Sequence, residues 1–193
     1  LILSSGLSER MGQPKALLNW DESRTFIGKI MDEYRDAGCE KVVCTVNRFI
    51  YQQCLSLYDA SKVTFILNEH PEWGRLYSVK LGLAEVRNSD FCFIQNVDNP
   101  FINSAIISGI AAYADPGAWC SPEFNGRGGH PVLIPQIILR KILEVTNQES
   151  TLQNVLRAFP KKVAEMEDDK VLRNINTPEE YRDFVRKSMR SND

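Results

Sequence analysis

The stretch LILSSGLSERMGQPKALL, residues 1–18, decides the fold. Its apolar start, Leu1, Ile2 and Leu3, has strand character and runs directly into a loop carrying Gly6, Ser8 and Gly12 together with Arg10 and Lys15. A strand that empties into such a loop is suited to a polyanion. Glycines let the backbone approach closely, successive amide N–H groups form an anion cradle, and the cations neutralise charge that amides alone cannot balance. The spacing G-x-S-x-R-M-G-x-x-K fits neither the Walker A loop, which needs Gly-Lys-Ser/Thr, nor the dinucleotide fingerprint G-x-G-x-x-G. The chain opens at Leu1 without Met and enters the loop within a few residues, so the first strand is expected to be truncated at its amino end.

Outward from this stretch, apolar segments of strand character alternate with segments of helical period, the pattern of a mostly parallel sheet covered by helices on both faces. Strands are expected at residues 1–3, 41–46, 63–67 and 91–95, with further strand material at 118–123 and 131–134. Phe26, Ile27, Ile30, Met31 and Tyr34 recur at helical spacing, and Gly38 stands where a helix stop belongs. Residues 76–86 and 104–113 read as helices too, as do 177–189, where Thr177 suits the N-cap and Pro178 the first helical position. No repeat or linker interrupts the 193 residues, so residues 1–193 are expected to form one α/β domain, a Rossmann-like three-layer sheet.

At 43% hydrophobic the chain supports one substantial core. A net charge of −2 argues against broad binding of nucleic acid or anionic membranes, which needs a basic excess. No apolar run approaches transmembrane length, and no signal peptide is visible. The five cysteines, Cys39, Cys44, Cys54, Cys92 and Cys120, are odd in number and lack C-x-x-C spacing. They read as reduced residues of a cytoplasmic protein, several of them in the core.

A second chemical segment is FCFIQNVDNPFI, residues 91–102. A strand ending at Asp98 delivers a carboxylate to the carboxyl edge of the sheet, where open α/β sheets bind ligands. One such oxygen can hold Mg²⁺, which is usually bound by one or two carboxylates plus substrate phosphates. A turn cap before Pro100 is the plainer reading of Asp98. The third segment, residues 125–132, NGRGGHPV, has the freedom to close over a ligand. There His130 is either a donor to the ligand or a packing residue before Pro131. His70 and His130 lie far apart among scattered cysteines and give no zinc spacing.

Taken together, L-x-x-G-x-S-x-R-M-G-x-P-K-x-L-L at the start, the Asp98-Asn99-Pro100 step and the G-x-x-G-H-P-V-L segment resemble the nucleotidyltransferases of the molybdenum cofactor. That group sits within the larger set that activates sugars and alditols as nucleoside diphosphates. Two shorter segments are similar as well: Trp73-Gly74-Arg75-Leu76-Tyr77-Ser78, which departs from the family's usual pair of serines, and Asn174-Ile175-Asn176-Thr177-Pro178-Glu179-Glu180-Tyr181 near the end. The cytidylyl branch mostly shows Asp-Ile-Asp at the latter, so the carboxylate that would complete a metal site is replaced by Asn174 and Asn176.

The resemblance implies a nucleotide site built from Leu3, Ser4, Ser5, Gly6 and Ser8, continued by Arg10, Met11, Gly12 and Lys15 and closed by Asn47, Asn68 and Ser78. Arg10, Lys15 and Asp98 take the catalytic roles, Asp98 as the Mg²⁺ ligand, and Gly129, His130 and Pro131 lie beside the acceptor. The implied reaction is in-line attack of a phosphate of molybdopterin, or of its molybdenum-loaded form, on the α-phosphorus of a nucleoside triphosphate. Pyrophosphate is released, and the ionised nucleophile needs no general base. Ser5 is closer in size to the alanine of the cytidylyl branch than to the glycine of the guanylyl branch, which favours CTP over GTP. Asn47-Arg48 and residues 174–181 look guanylyl-like. The implied partners are the triphosphate and the phosphorylated pterin, and the resemblance leaves room for a molybdoenzyme or chaperone partner. Two other readings stand beside this one: transfer to a sugar phosphate or alditol phosphate, and a nucleotide-binding regulator without turnover.

Overall fold

The computed structural model describes residues 1–147 and 150–190, the last without its side chain. Its strands are β1 (Ile2–Ser4), β2 (Val43–Asn47), β3 (Thr64–Asn68), β4 (Phe91–Asn96), β5 (Trp119–Phe124), β6 (Arg127–Gly128), β7 (Val132–Pro135) and β8 (Lys161–Glu165). They join one sheet in the order β3-β2-β1-β4-β7-β5-β6, with β8 pairing β5. The strands β1 to β4 are mutually parallel, β7 and β6 run antiparallel to their neighbours β4 and β5, and β8 runs parallel to β5. The expected parallel sheet therefore holds for the first four strands, while the distal half is mixed.

Seven α-helices are described: α1 (Phe26–Asp36), α2 (Arg48–Leu57), α3 (Arg75–Ala84), α4 (Ser104–Ala111), α5 (Gln136–Glu144), α6 (Leu152–Leu156) and α7 (Pro178–Arg190). Each strand that begins a βα unit alternates its side chains between the two helical layers. Val42, Cys44 and Val46 enter one core with Phe26, Ile27, Ile30 and Ile102, whereas Val43 enters the other with Leu3, Val79, Leu83, Ile94 and Ile138. This period-2 split is what a sheet covered on both faces requires. None of the described helices is long and apolar enough to cross a membrane.

The strand order positions the site. From β1 the chain moves outward through β2 to β3, then returns to the other side of β1 to form β4. Loops after β1 and β4 thus diverge from adjacent strands, and the crevice at their carboxyl ends is where doubly wound sheets take ligands. The residues expected to carry chemistry, those of the opening loop and Asp98, follow β1 and β4.

The end of the chain reaches the same crevice. Trp20 stacks on Phe184 of α7 at 4.8 Å between ring centroids, and Phe26 meets Phe184 edge-on at 5.9 Å. Burial of several aromatics in one cluster favours docking of α7 on the amino end of α1. The segment before α7 is thereby held under β4, where the Ile175 N–H donates to the Asp98 carbonyl at 2.8 Å.

Candidate active site

The loop after β1 is shaped by its own backbone. Ser8 and Gly12 both adopt left-handed conformations, with φ of 54° and 70°. The N–H groups of Met11 and Gly12 both donate to the Ser8 carbonyl, at 2.9 and 3.1 Å, and the Lys15 N–H donates to Ser8 Oγ at 3.3 Å. Asn47, at the end of β2, fastens the loop from beside it: its Nδ2 donates to the carbonyls of Ser5 and Gly6 at 3.3 and 3.1 Å, while its Oδ1 caps α2 through Phe49 N–H. The loop is held at both ends, and Gly6 has open space around its Cα.

The resulting cleft, about 260 Å³, is lined by Leu3, Ser4, Gly6, Ser8, Lys15 and Asn47 from the first two strands and their loops, and by Arg75, Asn96, Val97 and Asp98 opposite. A second hollow of about 340 Å³ adjoins it through Ser8 and Lys15, bounded by Arg10 and Asn176. A larger hollow of about 1070 Å³ opens near the start of β1 and β4 around Tyr34, Cys39 and Cys92, away from the loop and Asp98. Size does not mark the site here; the charged groups gather in the smaller cleft.

Lys15 stands at its centre. Its Nζ donates to Asn176 Oδ1 at 2.6 Å and lies 3.8 Å from Asp98 Oδ2. Both partners of that ion pair are shielded, with side chains 13% and 27% exposed. Burial pushes the Asp98 carboxyl up and the Lys15 ammonium down, and the attraction between them offsets only part of each shift. Asp98 Oδ1 is buried with no hydrogen-bond partner. A buried anionic oxygen without a donor is costly, and a cation would satisfy it. No group of three or more His, Cys, Asp or Glu among the described residues forms a metal cage. The donor set therefore fits a hard cation held by one carboxylate plus ligand phosphates, and does not fit a structural metal.

Arg75 was not among the expected site residues. It begins α3 directly after Gly74, whose φ of 87° is one that an L side chain rarely adopts, and no side chain caps that turn. The Arg75 side chain is solvent-accessible, yet enough protein surrounds it that poor solvation lowers its pKa against the pull of Asp98. Neither Arg75 nor Arg10 makes a hydrogen bond or ion pair within the described residues, a pairing that surface cations elsewhere in the chain commonly achieve. The signal in the sequence was a cation placed immediately after a glycine at a helix start.

Other expected residues are placed differently. Ser5 is buried with an unpartnered hydroxyl and does not line the cleft, and Met11 packs into the core beneath the loop. Gly12 is exposed at the outer turn of the loop. Asn68 and Ser78 are buried and bonded to each other at 2.9 Å, joining β3 to α3. Gly129 and His130 lie against the chain near Val171, whose carbonyl accepts from the His130 N–H at 3.0 Å, and a Cβ on Gly129 would come within 2.4 Å of that carbonyl. His130 is mostly enclosed, its Nδ1 lacks a partner, and burial with the nearby Arg75 charge lowers its pKa to about 4. A packed, neutral imidazole still carries one ring N–H donor, so both readings of His130 stand.

Three cations against one carboxylate at a switch point, on a loop with open backbone, make a receptor for a polyphosphate. The sequence profile of the MobA-like NTP transferase domain matches residues 1–166. The chain belongs to this family. It is a nucleotidyltransferase with the mixed α/β fold of that group. It is 26% identical over 181 residues to a molybdenum cofactor cytidylyltransferase of Escherichia coli, covering 94% of this chain and 92% of that one. It is 25% identical over 198 residues to a probable molybdenum cofactor guanylyltransferase of Clostridium perfringens, covering 96% and 95%. The solved structure of Rv0371c from Mycobacterium tuberculosis superposes with a TM-score of 0.82 at 19% identity over 96% of this chain and 95% of that one, and its manganese complex with 0.75.

Proposed function

We propose that the chain transfers a nucleoside monophosphate from a nucleoside triphosphate to the phosphate of molybdopterin or the molybdenum cofactor, releasing pyrophosphate. The observation that carries this reading is Asp98 itself, whose Oδ1 lacks a donor while its Oδ2 meets the Lys15 ammonium, in a cleft whose other cation, Arg75, has no ion pair. The names of the cytidylyl and guanylyl relatives support the acceptor, since both share it. Asp98 would hold Mg²⁺, which when bound supplies charge neutralisation on the phosphates. Rv0371c, whose structure was also solved with manganese, supports a divalent ion at a protein of this fold.

Lys15, steadied by Asn176, and Arg10 at the rim bear on the triphosphate, with Ser4, Gly6 and Ser8 forming the backbone side of its pocket. An oxygen of the acceptor phosphate forms the new bond to the α-phosphorus, and the bond from that phosphorus to the β-bridging oxygen breaks. The electron pair leaves with pyrophosphate, whose growing charge the cations stabilise; positioning and charge account for the rate. CTP is the favoured donor because Ser5, at the position where the resemblance separates the two branches, is closer in size to alanine than to glycine, although its side chain is buried and does not line the cleft.

The test is turnover with CTP and with GTP, each offered molybdopterin, a sugar phosphate and an alditol phosphate, with Mg²⁺ and after chelation. Pyrophosphate release and the mass of the dinucleotide product are followed. Chelator-sensitive formation of the cytidine product with molybdopterin is expected. A product formed only from a sugar or alditol phosphate overturns the acceptor, and a preference for GTP overturns the base.

A further inference from the structure

Nucleotidyl transfer between two phosphates forces two polyanions into contact, and their repulsion rises steeply as the space between them loses water. Lys15 and Arg10 share one hollow, on the side of the opening loop and Asn176. Arg75 comes from a different element, α3, and lines the main cleft together with Lys15 and Asp98. It lies near enough to Asp98 and to His130 for its charge to act on both. Asp98 thus has one cation from the opening loop and another from α3. The Arg75 guanidinium is accessible and has no protein partner, so its donors are available to an incoming ligand. A guanidinium presents several donors in one plane, the geometry that grips a phosphomonoester by two oxygens. Gly74 allows the sharp entry into α3 that sets this side chain over the cleft.

We propose that Arg75 is the receptor for the phosphate of the acceptor, a phosphomonoester, and so holds the nucleophile in the cleft beside Asp98. This rests on the transferase reading above and adds the residue that recognises the second substrate. The neighbouring His130, neutral in its packed position, adds no second positive charge beside Arg75.

The experiment titrates inorganic phosphate into the full chain, first alone and then saturated with Mg²⁺ and a non-hydrolysable CTP analogue, following the side-chain Nε–H resonance of Arg75 by NMR. Phosphate is expected to move that resonance in both states. Arg75→Gln is expected to weaken phosphate binding by roughly tenfold or more, the loss of charge-assisted bonds, while affinity for the CTP analogue stays within about twofold. Arg75→Lys should restore part of the loss, and unchanged thermal unfolding shows that the variants fold. Displacement of phosphate from Arg75 by the analogue, or equal weakening of both ligands, assigns Arg75 to the triphosphate and overturns the proposal. Unchanged phosphate affinity in Arg75→Gln overturns it as well. The transferase reading fails by a different result: phosphate still binds at Arg75, yet no molybdopterin is turned over with either triphosphate.

Discussion

The strand β8 with the turn that follows it and the cleft after β1 and β4 treat charge in opposite ways. On β8 and in the turn after it the cations are matched: Lys161 pairs with Glu123, Lys162 with Asp115 at 2.8 Å, Lys170 with Asp168 at 2.7 Å and Arg173 with Asp169 at 2.6 Å. At the carboxyl ends of β1 and β4, Arg10 and Arg75 have no ion pair, and Lys15 meets its one carboxylate at 3.8 Å. Matched surface pairs contribute little to stability and leave little field behind. Unmatched cations lining a concave place retain their field for a ligand. The difference separates charge that decorates a surface from charge that waits for a substrate.

Substitutions on either side should therefore differ sharply. The largest effect is expected at Asp98→Asn, which keeps the shape and removes the anionic oxygen: transfer in Mg²⁺ should fall by more than about a hundredfold while circular dichroism is unchanged. Initial rates of pyrophosphate release check this, and near-normal rates in a folded variant would move the metal site away from Asp98. Next, Lys15→Ala should weaken triphosphate binding by about 1.5–3 kcal/mol, measured calorimetrically. Lys161→Ala, in the matched region, is the control and should leave that affinity alone. Equal effects from both would erase the contrast.

His130 gives a prediction in pH. Its folded pKa lies at about 4, below the ordinary value of 6.5, so between those values the unfolded chain takes up a proton that the folded one refuses. Stability should accordingly decline as pH falls from 6.5 towards 4, by on the order of 2 kcal/mol from this group, allowing for its partial exposure. Urea unfolding of the wild type and of His130→Gln across that range isolates the term: the wild type should lose more stability than the variant. Parallel curves would place His130 in solvent. The smallest effect is expected at Asn176→Ala, which removes the 2.6 Å partner of Lys15. The loss is about 0.5–1.5 kcal/mol in kcat/KM for the triphosphate, the value of one hydrogen bond. A variant indistinguishable from wild type would show that Lys15 needs no anchor.

Legibility in the sequence followed the same division. The opening loop and the strand leading to Asp98 were readable because their chemistry is local: glycines, cations and a strand end occur within a few residues. The strands β1 to β4 appear within two residues of their expected bounds, since buried parallel strands are written as apolar runs. The strand β8, KKVAE, was missed because it carries two lysines and a glutamate and owes its pairing to β5, some forty positions earlier. The antiparallel turn of the distal half was missed for that reason too. Within the site, Arg75 escaped, and Asn176 was read only for the carboxylate it replaces, not as the partner of Lys15. Arg75 looked like any surface cation until the absence of partners was visible, and the bond from Lys15 to Asn176 spans 161 positions. Met11 erred in the other direction: its place in a loop motif gave no sign that its side chain points into the core.

The reach of Asn176 back to Lys15 also sets an order on synthesis. A growing chain can form the opening loop as soon as β1 to β4 have left the ribosome, but Lys15 then lacks its anchor and the Asp98 carbonyl lacks the Ile175 donor. Only when residues 174–176 emerge, and α7 settles on Trp20 and Phe26, do both arrive together. Closing so distant a contact is entropically slow. The cleft thus reaches its finished form only once residues 174–184 have docked.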